Sequence, residues 1–345
     1  MKDNEFVMAI DQGTTSSRTV LFDHQYAIKS ISQIDLTQYF PHTGWVEHSP
    51  DEIWQSTVKT AQQAMKKNDI DASQVASLGI TNQRETTIIW NKRTGKPIYN
   101  AIVWQDRRTS NYCDVLKSEG LEKTITEKTG LLLDPYFSAS KIVWILDNVD
   151  GAMSAAKNGE LAFGNVDSWL IWNLTSDRKH LTDITNASRT MLFNIVHQDW
   201  DYDLLNIFGI PDSILPEVKD CGYEFGQTNP SLFLGSISIC GVAGDQQAAA
   251  LGQACFAPGM LKATYGTGCF AILNTGSEIA RSTQRLLTTI AYRINGETSY
   301  ALEGSIFCAG ASVKWFQEKL KLVQGPEDMD ILASDSDLTQ EVYLV

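Results

Sequence analysis

Two carboxylates stand where a strand would not ordinarily spend a charge. In MAIDQGTTSSRTVLFD, residues 8–23, an apolar run reaches Asp11 and then breaks into Gly13, Thr14, Thr15 and Ser16 before apolar residues resume. Successive backbone N–H groups in a Gly-containing turn form a concave anion site, and the hydroxyls add donors for phosphate oxygens. Arg18 can reach the same anion. A carboxylate there also suits a hydrated magnesium ion, which keeps waters and takes one or two carboxylates beside phosphates. The plainer alternative is a hairpin loop in which Asp11 bonds its own turn. Asp245, in AGDQQ, ends a second apolar run. It can serve as a general base toward an attacking hydroxyl or simply as the N-cap of the helix that follows.

Two further patterns carry chemistry. Arg84 and Glu85 are adjacent opposite charges: a surface ion pair of little worth, or a clamp in which arginine donates and glutamate accepts from neighbouring hydroxyls of a polyol. GTGCFA, residues 266–271, fits G-x-G-x-x-A, but the apolar FAILN that follows predicts a strand, whereas a dinucleotide fingerprint opens a helix. The glycines suit a second phosphate turn instead. No G-x-x-x-x-G-K-[ST] and no G-x-S-x-G occurs, so P-loop and nucleophile-elbow chemistries are set aside.

The elements that must position these residues are partly legible. Phe6–Ile10 and Thr19–Phe22 read as strands joined by a Gly-containing loop. Ser49, Pro50 and Glu52 announce a helix with a capping box, continued by Ile53, Val58, Ala61 and Met65. VASLGI predicts a strand entering the Arg84–Glu85 loop, and a hairpin turn is expected at Thr94-Gly95. Between 97 and 235, Trp104, Trp144, Trp169, Trp172 and Trp200 are read as core packing. Near 237 the opening texture returns: a strand ending in Gly-Asp, an alanine-rich helix, then strand, Gly-Thr-Gly turn and strand. The echo of GTT by GTG hints at duplication. A boundary is set near 250, giving units 1–250 and 251–345. The closing EVYLV reads as an apolar strand of an unfinished domain.

Composition narrows the partners. The 345 residues suggest about two domains at roughly 150 residues each. A net charge of −13 argues against nucleic acid, which needs clustered Lys and Arg. No run of 18 apolar residues and no leader pattern appear, so a cytoplasmic protein without membrane insertion is expected. Six scattered cysteines without C-x-x-C, and five histidines without H-E-x-x-H, point away from disulfides and zinc.

Taken together, DQGTTSSR (11–18), GWVEH (44–48), ITNQRETT (80–87), NAIVWQDRR (100–108), DPYFSASK (134–141), TDITNASRTMLFNI (182–195), AGDQQAA (243–249), TYGTGCF (264–270) and YALEGSIFCAGASVKW (300–315) identify a resemblance. The chain resembles the glycerol kinases, within the sugar kinases that share the actin and heat-shock-protein ATPase fold. The resemblance implies an α/β, ribonuclease H-like architecture, duplicated, with the second copy incomplete in these residues. It implies ATP- and Mg2+-dependent phosphorylation of glycerol to glycerol 3-phosphate, with ADP released, in a homo-oligomer at full length. Arg84, Glu85, Tyr136, Asp245 and Gln246 match the glycerol ligands, Asp245 the base, and Trp104 and Phe270 the apolar walls. Thr14, Thr15, Ser16, Arg18, Thr267, Gly310 and Lys314 match the nucleotide's surroundings, and Asp11 with Asp245 the metal's. Lys314 departs from a common glutamine. The stretch 226–238 lacks the glycine-rich, arginine-ending loop of fructose-bisphosphate-inhibited members, so no inhibition through it is expected; 217–240 has no histidine for phosphohistidine activation. The competing expectations are a kinase of another polyol or sugar, and an inactive polyol-binding protein.

Overall fold

The computed structural model describes residues 5–266 and 268–336. The expectations for Thr267 and for EVYLV therefore lie outside the described residues. A six-stranded mixed sheet forms the first layer: β1 (Phe6–Gln12), β2 (Ser16–Phe22), β3 (Ile28–Asp35), β4 (Val75–Asn82), the two-residue β5 (Gly226–Gln227) and β6 (Ser238–Gly244). Their spatial order is β5-β6-β4-β1-β2-β3. β1, β2 and β3 form an antiparallel meander, while β4 runs parallel to both β1 and β6. This is the ribonuclease H-like arrangement of the actin-like ATPases.

Period-two alternation explains the placement of charge. Met8, Ile10 and Gln12 are buried on one face of β1, which leaves Asp11, between the last two, on the other. On β2, Ser17, Thr19 and Leu21 face helix α1 (Pro50–Lys66). There Ser17 pairs with Ser56 at 2.8 Å and Thr19 with Thr60 at 2.9 Å, so the buried hydroxyls satisfy one another. Ser49 caps α1 by accepting the Glu52 N–H. Glu52 departs from the expected box: its carboxylate accepts from the Thr37 N–H and hydroxyl, tying the chain after β3 to the helix.

Among the other helices of this part are α2 (Ser138–Asn148) and α3 (Val166–Leu174). One core lies under the sheet, with Met8, Ile10, Ile53, Leu78, Ile80, Trp90 and Trp169 among its members. A second gathers Ile102, Val103, Trp104, Tyr136, Phe137 and Ile142. Trp144 and Trp200 are only partly buried and pack at that core's margin.

β6 leads into α4 (Asp245–Gly252). Beyond it β7 (Leu261–Tyr265), β8 (Cys269–Gly276), β9 (Leu287–Ile294) and β10 (Glu297–Ile306) form an antiparallel sheet in the order β7-β8-β10-β9. The strands flanking the two glycine-containing stretches are antiparallel in both cases, β1 with β2 and β7 with β8. β8 continues directly from Gly268, as a strand and not a dinucleotide helix. Helix α5 (Gly310–Glu318) follows. Among the described residues no helix is long and apolar enough to cross a membrane.

Candidate active site

The parallel register brings the loop ends to one edge. Asp11 of β1 and Ala243 of β6 both lie opposite Thr81 of β4. Asp11 and the Gly244-Asp245 step thus emerge at the carboxyl ends of parallel strands, two strand spacings or about 10 Å apart. That edge is where open α/β sheets bind ligands. The Arg84–Glu85 loop leaves β4 between them, with Glu85 in the left-handed region at φ 62°. Such a conformation costs an ordinary side chain about 1–3 kcal/mol and is held by its surroundings.

A cavity of about 150 Å³ opens there, lined by Thr14, Arg84, Glu85, Trp104, Tyr136, Asp245, Gln246, Thr264, Gly266, Gly268 and Phe270. The seven residues matched to the polyol and its walls are all in this lining. Arg84 and Glu85 are almost fully buried, at 2% and 1% exposure, which removes the surface-ion-pair alternative. Their contacts form a network wider than a pair. Arg84 donates bidentately to Glu303 at 2.7 and 2.9 Å, to Gln247 Oε1 at 3.2 Å and to the Tyr136 hydroxyl at 3.3 Å. Its Nε lies 3.4 Å from Asp245 Oδ1 and 3.8 Å from Glu85 Oε1. Arg189 donates to Glu85 at 2.6 Å and to Glu303 at 3.0 Å. Two arginines are thereby interleaved with two glutamates, as burial of such charges demands.

The network sets the protonation states. Burial opposes charge on Glu303, but the Arg189 and Arg84 guanidiniums more than offset it and hold the carboxyl down to about 2. Burial, reinforced by Glu85, pushes the Tyr136 phenol far up, so it stays a hydrogen-bond donor. Burial also raises Asp245, with Arg84 pulling the other way. An elevated carboxyl beside a fixed cation has the makings of a general base.

Local chemistry explains the positions. Asp245 is the first residue of α4 and not its N-cap, a role taken by Gly244. Its Oδ1 accepts the Gln246 N–H at 2.7 Å. Tyr136 is set by its N–H on Asp134 at 2.9 Å and by buried Lys141, whose ammonium donates to the Pro135, Tyr136 and Phe137 carbonyls at 2.6–2.9 Å. Trp104 donates its indole N–H to Thr14 Oγ1 at 2.9 Å and meets Phe270 edge-on at 5.9 Å. Phe307, outside the lining itself, packs on two of these rings, 6.2 Å from Trp104 and 5.0 Å from Tyr136.

The residues matched to nucleotide and metal are more scattered. Thr14 lines the cavity, Thr15 is exposed, and Ser16 begins β2. Arg18 sits on the Asp11 carboxylate, at 3.2 Å through Nε and 2.5 Å through Nη2, so each engages the other. Gly310 donates its N–H to the Gly266 carbonyl at 2.9 Å, joining the start of α5 to the glycine turn. At Gly268 a Cβ would stand 2.7 Å from the Ile306 carbonyl, so the close approach of backbone there requires glycine. Lys314 is exposed and pairs with Glu318 at 3.6 Å. Among the described residues no three His, Cys, Asp or Glu side chains cluster as metal ligands. The carboxylates of Asp11 and Asp245, at one sheet edge and each partly exposed, are the hard oxygen donors that suit a largely hydrated Mg2+.

Glu303, Arg189, Gln247 and Phe307 were not singled out by residue chemistry. Their only sequence signal was membership of the stretches 182–195, 243–249 and 300–315.

Comparison with known proteins agrees with this architecture. Residues 6–252 match the N-terminal domain of the FGGY family of carbohydrate kinases. The chain is 59% identical to the glycerol kinase of Sinorhizobium fredii and 58% identical to that of Rhizobium meliloti, each over 99% of this chain and 68% of the relative. Among solved structures, Plasmodium falciparum glycerol kinase with ADP superposes with a TM-score of 0.89 at 37% identity, covering 96% of this chain and 67% of that one. A xylulose kinase from Lactobacillus acidophilus gives 0.84 at 19% identity, covering 96% and 66%, a likeness of fold alone. With identity of this order sustained along nearly its whole length, the chain belongs to the glycerol kinases of the FGGY carbohydrate kinase family.

Proposed function

We propose that the protein phosphorylates glycerol with ATP, giving sn-glycerol 3-phosphate and ADP. The observation that carries this reading is the convergence of Arg84, Glu85, Trp104, Tyr136, Asp245, Gln246 and Phe270 on one small cavity. Arg84 and Tyr136 donate to glycerol hydroxyls, Glu85 and Asp245 accept from them, and the Trp104 and Phe270 faces take the carbon edge. Asp245 receives the proton of the terminal hydroxyl as its oxygen bonds to the γ-phosphorus. The bond from that phosphorus to the bridging oxygen breaks, and ADP leaves with the electron pair. Most of the catalysis is positioning and charge stabilisation.

Thr14, Thr15, Ser16, Arg18, Thr267, Gly310 and Lys314 are assigned to the nucleotide. A magnesium ion held through water by Asp11 and Asp245 would neutralise phosphate charge. For Arg18 to meet a phosphate it must exchange the Asp11 carboxylate for it. The division into a polyol- and phosphate-binding unit, 1–250, and a nucleotide-binding unit from 251 belongs to the same proposal, as does a cytoplasmic location.

The test is glycerol-dependent ADP formation, with Asp245→Asn as control. General-base removal lowers kcat by about 10²–10⁴, while glycerol binding measured by calorimetry persists. Activity of Asp245→Asn within tenfold of the parent would reject Asp245 as base. Xylulose-dependent ADP formation without a glycerol response would instead favour another sugar as substrate.

A further inference from the structure

β1 and β4 make their last contact at Gln83. The Gln83 N–H donates to the Gln12 carbonyl at 2.7 Å, one step beyond the final strand partners Gln12 and Asn82. There the chains part, β1 into the turn at residues 13–16 and β4 into the Arg84–Glu85 loop. The Gln83 side chain, 1% exposed, spans the gap between them. Its Nε2 reaches Gln12 Oε1 at 3.1 Å, the Gly13 carbonyl at 3.3 Å and His48 Nδ1 at 3.3 Å. A carbonyl only accepts, so the nitrogen end of the amide faces the turn and Oε1 faces the loop. That oxygen accepts the Thr86 hydroxyl proton at 3.0 Å, and the same hydroxyl accepts the Trp104 backbone N–H at 3.3 Å. Trp104 returns to the turn through its indole N–H on Thr14. Gly13, Gln83, Thr86, Trp104 and Thr14 thus close a ring that joins the turn to the cavity wall.

We propose that Gln83 is a positioning residue that couples the two substrates: through Gly13 it holds the phosphate turn, and through Thr86 the wall at Trp104. The inference rests on the reading of the cavity as the glycerol site and of the turn as a phosphate site. A buried amide costs stability unless both its ends are bonded, and here each end is bonded to a different ligand-bearing segment. Such a ring, shut off from water, cannot exchange its bonds freely, so the turn and the wall keep one mutual geometry. A ligand that sets the turn therefore also sets Trp104, and the second ligand meets a site already in place. A glutamine that merely filled the end of β4 would lose stability on substitution and leave this coupling unchanged.

The measurement is calorimetric titration with glycerol alone, with the non-hydrolysable ATP analogue AMP-PNP and Mg2+ alone, and with glycerol after saturation by the analogue. It is made on the parent, Gln83→Met, Thr86→Val, Thr86→Ser and the Gln83→Met/Thr86→Val pair. In the parent the analogue should tighten glycerol about tenfold, within the usual range for coupled sites. Gln83→Met and Thr86→Val should reduce that factor to about twofold or less, while each ligand still binds by itself. Thr86→Ser keeps the hydroxyl and restores the parent factor. The pair loses no more than the worse single variant, because both cut one ring. Should Gln83→Met not fold, Thr86→Val opens the same ring with Gln83 in place. A parent that binds both ligands without coupling, a Gln83→Met or Thr86→Val that keeps the parent factor, or a Thr86→Ser as poor as Thr86→Val overturns the proposal. A parent that binds no glycerol, or no analogue, brings down the substrate reading and the role of Gln83 with it; failure confined to the coupling leaves both ligands bound and that reading in place.

Discussion

The stretch up to α4 and the stretch after it are held together in different ways. The first buries its apolar residues in two extensive cores, the second of which includes the cavity-lining Trp104 and Tyr136. The second contributes few members to any core, and more than half of the exposed large apolar side chains among the described residues fall between Phe256 and Leu332. At the cavity the second part meets the first both through rings, Phe270 and Phe307 against Trp104, and through charge, Glu303 of β10 inserting between Arg84 and Arg189. One part is organised by its own interior, the other by the rings and the charge it sets against its neighbour.

The sharpest way to break that contrast is Glu303→Ala. It removes one of the two buried glutamates that balance two buried guanidiniums, for which the expected loss is about 3–5 kcal/mol. Hydrogen exchange should show β9 and β10 losing protection first. A loss below about 1 kcal/mol, read from urea unfolding, would mean that the two parts are joined elsewhere.

Next comes a test of the first core alone. Asp167 on α3 is fully buried; its Oδ2 accepts from the Thr182 hydroxyl at 2.6 Å, and Oδ1 has no hydrogen-bond partner among the described residues. Burial, with Asp183 nearby, raises its carboxyl to about 7. Because the folded value lies above the unfolded one, the contribution to stability is complete below about pH 4 and is lost as pH rises through 7. Urea unfolding at pH 5 and pH 8 should therefore differ by about 2–4 kcal/mol in this group's share. Asp167→Asn should flatten that dependence, and an unchanged slope would exclude Asp167 as its source.

The mildest perturbation asks what the second part gives the cavity besides charge. Phe307→Ala removes the ring that packs on the lining residues Trp104 and Tyr136. Ring pairs of this kind contribute about 0.5–1.5 kcal/mol, so KM for glycerol should rise about two- to tenfold with kcat little changed. A kcat effect as large as the KM effect would place Phe307 in the transfer step.

Much of the first layer was legible because its signals are local. The apolar runs around Asp11 and before Arg84, the Ser49-Pro50 helix start and the Thr94-Gly95 turn each declare themselves within a few residues, and Gly95 takes φ 68° as such a turn needs. The errors were also local in kind. Glu52 is expected to close its own cap but meets Thr37 fifteen residues away, and the cap alternative for Asp245 fails because Gly244 takes the cap and Asp245 enters the helix. Glu303 could not be read from pattern, since its partner Arg84 lies 219 residues earlier and only the folded sheet brings them together.

Glu85 bears a consequence for variation. Its left-handed backbone would be eased by glycine or asparagine, yet either replacement discards the carboxylate that receives Arg189. Aspartate keeps the charge but draws it back by one methylene from a 2.6 Å contact. Every single substitution thus surrenders either the charge or the reach, and drift at this position has nowhere inexpensive to go.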